Sequence, residues 1–138
     1  MDEKRELTET QIREVVVLHE KKAEKMLEDK TETEKTVSLA MEMARKVEDI
    51  PFIGKYVSDI FVMCDCIIDY IKGNYKKILM GTVITILAAI IYVVNPGDIL
   101  PDILPVIGHA DDAGVIAFVI KIVRDDLKDY KAWKGALK

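Results

Sequence analysis

ILMGTVITILAAIIYVV, residues 78–94, runs seventeen positions without a charge. As a helix it is roughly 25 Å long at 1.5 Å per residue, against about 30 Å for the hydrocarbon core of a bilayer. That is the short edge for a spanning helix. It is equally the pattern of a central helix covered on every side by a helical bundle. Thr82 and Thr85 fit either setting, because a threonine hydroxyl bonds back to the preceding turn. Lys76 and Lys77 directly precede this stretch and are expected in the first turn of its helix. That is the wrong end of the helix dipole for a cation, and anionic lipid headgroups would give the pair a role there.

The charge pattern around this stretch favours the membrane setting. No lysine or arginine occurs between Lys77 and Lys121, while four aspartates gather in NPGDILPDILPVIGHADD, residues 95–112. Lys72, Lys76 and Lys77 flank one side, and Lys121, Arg124, Lys128 and Lys131 the other. Basic feet and a distant acidic turn are the layout of a helical hairpin, here residues 78–123, in or against a membrane with both chain ends cytoplasmic. The returning segment, residues 113–123, has only eleven residues and cannot cross alone. Together with residues 99–107 it would make a re-entrant passage if its aspartates faced protein or water, since each costs about 2.5–3.5 kcal/mol at a bilayer centre. The basic end, residues 124–138, places Tyr130 and Trp133 at i, i+3, as interfacial anchors or as the edge of a core.

At 138 residues, with 50% hydrophobic content, the chain can bury a core without disulfides or metals. Seven glycines and four prolines leave too few turns for a many-stranded sheet, so the expected fold is all-α. A net charge of −4 and a pI near 5.2 argue against nucleic acid as a partner. The polar start MDEKRELTET has no apolar run behind a basic head, so no cleaved signal peptide is expected. Cys64 and Cys66, two positions apart on a helix, point about 200° from each other. They are expected to be ordinary reduced thiols.

Acidic residues divide the chain. Residues 1–49 hold 14 acids and 10 bases, whereas from Ile50 onward there are 10 aspartates, 10 bases and no glutamate. Glutamate suits helix faces and aspartate suits caps and turns. The expected division is therefore a charged amphipathic helical hairpin over residues 1–48 and a second helical domain over residues 49–138.

Thr8 and Gln11 form a capping-box pattern, followed by Ile12, Val15, Val16, His19, Ala23, Met26 and Leu27 at helical spacing. Residues 31–33 are read as the break before a second helix marked by Val37, Ala40, Met41, Ala44 and Val47. The apolar stripe of this pair packs on the rest of the chain or docks a partner helix. A third helix is expected from Pro51 to a stop at Gly73 and Asn74. Its apolar face carries Ile60, Cys64, Ile67 and Ile71, and its polar face Asp65, Asp69 and Lys72. Phe61, Val62 and Met63 widen the apolar arc enough to suit a protein–lipid boundary.

In the acidic run, Asn95-Pro96-Gly97-Asp98 reads as a type II turn, followed by DILP twice, at residues 98–101 and 102–105. Asp111 or Asp112 would cap the helix that follows. Turn and cap bonds account for every one of these acids. The sharper reading is a cation site of Asp98, Asp102, His109, Asp111 and Asp112, oxygen-rich as Mg²⁺ or Ca²⁺ prefers. The spacing matches no calcium loop, and one histidine is a thin basis for zinc.

YVVNPGDILPDILPVIGHADDAGVI, residues 92–116, resembles the signature of the YkvA-like family, a catalogued domain of unknown function. The matching positions are Tyr92, Pro96, Asp98, Pro101, Asp102, Pro105, Gly108, Asp111 and Asp112, with Asn95 opening the turn. Gly97 and His109-Ala110 depart from the bulkier residues of the pattern. A looser likeness, including PFIGKYVSDI and DDLKDYKAWK, extends over roughly residues 51–134. The resemblance implies a short, helical, membrane-associated module with no known catalysis and no cofactor.

Three functions follow in order. The first is a small membrane-associated adaptor or structural protein that meets lipid, with a protein partner or a second copy of itself as a further partner. The second is a cytoplasmic all-helical protein-interaction domain with a buried central helix. The third is a metal-dependent hydrolase using the aspartate run, which lacks an evident nucleophile and has only His19 and His109 as candidate imidazole bases. No catalytic residue is assigned.

Overall fold

The computed structural model describes residues 8–46, 48, 56–94 and 112–136. Among them are five helices and no strand: α1 (Glu9–Met26), α2 (Lys30–Lys46), α3 (Val57–Ile71), α4 (Met80–Val94) and α5 (Asp112–Gly135). The expected all-α bundle is what forms.

Local chemistry sets the ends of these helices. The Thr8 hydroxyl accepts from the Gln11 N–H at 3.1 Å, and the Gln11 side chain accepts from the Thr8 N–H at 2.9 Å, completing the capping box. Residues 31–33 do not break the chain as expected; they lie in the first turn of α2, and the break falls at Leu27–Asp29. The cause is a pair of side-chain bonds. Asp29 accepts from the Glu32 N–H at 3.1 Å, while the buried Thr33 hydroxyl reaches the Met26 carbonyl at 2.9 Å and the Asp29 carbonyl at 3.0 Å. The expected stop of α3 is present. Gly73 adopts φ +81°, its N–H bonds the Tyr70 carbonyl, and the Asn74 N–H bonds the Asp69 carbonyl, which is a Schellman ending.

α4 is the axis of the bundle. It packs against all four other helices, and Val83, Ile86, Leu87, Ala88, Ala89, Ile90, Ile91 and Tyr92 are buried. Its neighbours are therefore protein. At 15 residues it is about 22 Å long, and among the described residues no helix is long and apolar enough to cross a membrane. The transmembrane helix expected over residues 78–94 is corrected accordingly. An all-round apolar sequence reads alike whether lipid or side chains surround it.

α1 and α2 turn their apolar stripes inward onto α4 and α3, and share few contacts with each other. Val15, Val16, His19, Ala23 and Met26 of α1 are buried, as are Val37, Ala40 and Ala44 of α2. α1 runs antiparallel to α4, so that the His19 ring meets Tyr92 edge-on at 5.4 Å, and the Thr85 hydroxyl donates to Glu20 at 2.7 Å. α2 runs antiparallel to α3, with the Arg45 guanidinium over the Phe61 ring at 5.5 Å.

The last two expected segments are one. α5 runs 24 residues without a breaker, because Val115, Val119, Val123, Leu127 and Tyr130 carry the same buried stripe from end to end. Its outer face exposes Arg124, Asp125, Lys128, Asp129 and Lys131. This helix thus lies along the bundle; residues 99–107 of the expected re-entrant passage lie outside the described residues.

Candidate functional site

Of the residues singled out in the signature and its acidic run, the structure describes Tyr92 and Asp112. Tyr92 lies on the last turn of α4, 1% exposed and packed on His19, so this member of the signature is a core residue. Asp112 is the first residue of α5. Asn95, Pro96, Asp98, Pro101, Asp102, Pro105, Gly108, His109 and Asp111 lie outside the described residues. Both ends of the run nonetheless attach at one pole of the bundle, where α4 finishes and α5 begins. Among the described residues, no group of three or more His, Cys, Asp or Glu is placed to hold a metal ion.

A second polar cluster sits toward the opposite pole, and sequence reasoning missed it. Asp69, assigned to the polar face of α3, is only 7% exposed. Its Oδ2 accepts from the Tyr130 hydroxyl at 2.5 Å and from the Lys134 ammonium at 2.7 Å, and its Oδ1 from the Asn74 amide at 3.4 Å. Its backbone carbonyl closes the end of α3 on Asn74 and Tyr75. Tyr75, Tyr130 and Trp133 stack around it, with centroids 4.8–5.8 Å apart. Tyr130 is thus a core residue, and Trp133 packs half-buried at the core's edge.

The electrostatics make this cluster a fastening. Burial by itself would raise the Asp69 carboxyl, but hydrogen bonds from Lys134, Tyr130 and Asn74 outweigh it and hold the group below its ordinary value. Burial, followed by the bond to Asp69, pushes the Tyr130 phenol up. Its own hydrogen bond to Asp69 raises Lys134. All three move away from neutrality, the opposite of what proton transfer at neutral pH needs. The one local signal for the cluster is the i, i+4 pair Tyr130 and Lys134, which puts a phenol and an ammonium on one side of α5.

The cysteines behave as expected. Cys64 and Cys66 are free and buried, and burial pushes both thiols up to about 12. The Cys64 thiol donates to the Val37 carbonyl at 3.9 Å, so it serves the α2–α3 contact.

Among the described residues this geometry defines an all-helical bundle built around one apolar helix, whose last turn and the start of α5 are the two ends of the aspartate- and proline-rich stretch. The family described as "Protein of unknown function (DUF1232)" matches residues 82–118, which take in most of α4, the connection and the start of α5. Over 66 residues the chain is 33% identical to the "Uncharacterized membrane protein YkvA" of Bacillus subtilis (strain 168). That match covers 48% of this chain and spans 62% of the relative's length. Over these segments the chain is similar to YkvA and to that family of unknown function, in keeping with the resemblance read over residues 92–116. No solved structure matches it.

Proposed function

We propose that this chain is a membrane-associated helical module with an adaptor or structural role, held on the cytoplasmic side. The observation that carries the reading is its 33% identity to a protein named as a membrane protein. Because α4 is covered by the other four helices, the association proposed is peripheral, through the outer surface of the bundle. Fractionation of expressing cells tests it. The protein is expected in the membrane pellet and to leave it on an alkaline carbonate wash. Recovery in the first supernatant would overturn membrane association, and retention through the wash would overturn the peripheral mode.

A second reading is a protein-interaction domain. Leu39 and Met43 are exposed on the outer face of α2, where an amphipathic partner helix would cover them. A cytosolic protein would favour this reading.

A further inference from the structure

Among the described residues, the two most exposed neighbouring apolar side chains sit together where α4 begins. Leu79 is 76% exposed and Met80 53%, and one half-buried residue, Ile78, separates them from exposed Lys76 and Lys77. Leucine and methionine elsewhere on α4 and α3 are buried, so this pair is an exception within an otherwise well-covered apolar stretch. Met80 shares a depression with Lys30, Lys72, Leu27 and Tyr70, and the Tyr70 hydroxyl lies 3.8 Å from its sulfur. On the other side of the helix start, Leu79 flanks a groove with Val17 and Lys21. The Lys76 side chain lies over Gly73, beside the first depression. Acidic groups are present too: Glu24 lines the Leu79 groove, Glu20 there is bonded to Thr85, and Glu28 and Asp29 form the neighbouring α1–α2 turn.

We propose that this pole, with Leu79 and Met80 at its tip and Lys30, Lys72, Lys76 and Lys77 around it, docks on an anionic lipid surface; the proposal rests on the membrane reading above. Exposed apolar side chains ringed by lysines are the chemistry of a shallow interfacial anchor, in which the hydrocarbon enters the headgroup boundary and the ammonium groups meet lipid phosphates. Charge complementarity selects this occupant over a neutral apolar partner. Lys76 and Lys77 precede the N-terminus of α4, where the helix dipole repels them, so an external anion relieves a contact unfavourable in the free protein. The tip lies at the end of the bundle opposite the last turn of α4 and the first turn of α5.

Flotation of the full chain with protein-free vesicles tests the proposal, using neutral phosphatidylcholine vesicles and vesicles containing one third phosphatidylglycerol. Wild-type protein is expected to float with the anionic vesicles only, and to be released by high salt. The K76A/K77A variant is expected to lose about 30-fold in partitioning, from about fivefold per lysine. The L79S/M80S variant should lose binding with an unchanged thermal melt, since both side chains are exposed. Variants that float like wild type would overturn the docking surface. If wild type ignores both vesicle types yet sediments with cell membranes, a membrane protein and not lipid is the partner; this surface proposal falls while the membrane reading stands. If it associates with neither, both fall.

Discussion

The Tyr130 hydroxyl of α5 donates a 2.5 Å hydrogen bond to the nearly buried carboxylate of Asp69 on α3, 61 residues earlier in the chain. That bond, with Lys134 on the same carboxylate, fixes the last turns of the longest described helix to the end of α3. A hydrogen bond to a charged group contributes about 1.5–3 kcal/mol. Tyr130→Phe is therefore expected to lower unfolding free energy by about that much in urea titration. A change below about 0.5 kcal/mol would mean that the bond does not hold α5 in place.

The same carboxylate sets a pH response. The folded Asp69 value lies below its ordinary 3.8, so its contribution is present above the unfolded value and is lost as pH falls through the folded one. Lys134 has the opposite sign. Its folded value is raised above 10.5, so its contribution is present below that value and disappears as pH rises through the folded one. Thermal melts should show Asp69→Asn less stable than wild type at neutral pH, with the difference narrowing below the ordinary carboxylate range. A constant difference at all acidic pH values would exclude this linkage.

The enclosure of α4 predicts a steep cost for hollowing it. Ile90 is fully buried, and Ile90→Ala is expected to lose about 2–5 kcal/mol by transfer and cavity terms. Leu39→Ala on the exposed face of α2 should stay within about 0.5 kcal/mol. Equal effects by chemical denaturation would contradict the burial pattern.

Both thiols should be silent in the native state. With values near 12 and no exposed sulfur, Cys64 and Cys66 present almost no thiolate to solvent at pH 8. Iodoacetamide is expected to label neither until denaturant is added, as read by intact mass. Rapid native labelling would show that α3 opens away from α2.

Much of the fold was legible in local patterns. Thr8 and Gln11 announced the start of α1, and its buried set of Val15, Val16, His19, Ala23 and Met26 follows the helical spacing of the sequence. Gly73 announced the end of α3. What local patterns do not contain is which distant side chain a residue meets. Asp69 looked like a solvated residue because Tyr130 and Lys134 reach it from 61 and 65 positions away. Residues 78–94 were ambiguous for the same reason, since the identity of their neighbours, lipid or protein, is a tertiary fact. Thr33 looked like a breaker because its hydroxyl bridge to Met26 spans seven residues that no helix pattern joins. The signature in the acidic run identified the family resemblance without assigning chemistry to its aspartates.

The central claim is that α4 is covered by protein and needs no lipid. Light scattering of protein washed from membranes and chromatographed in detergent-free buffer tests it most directly. A single monodisperse peak that stays in solution is the predicted result. Aggregation that only detergent reverses would contradict it and return residues 78–94 to the bilayer.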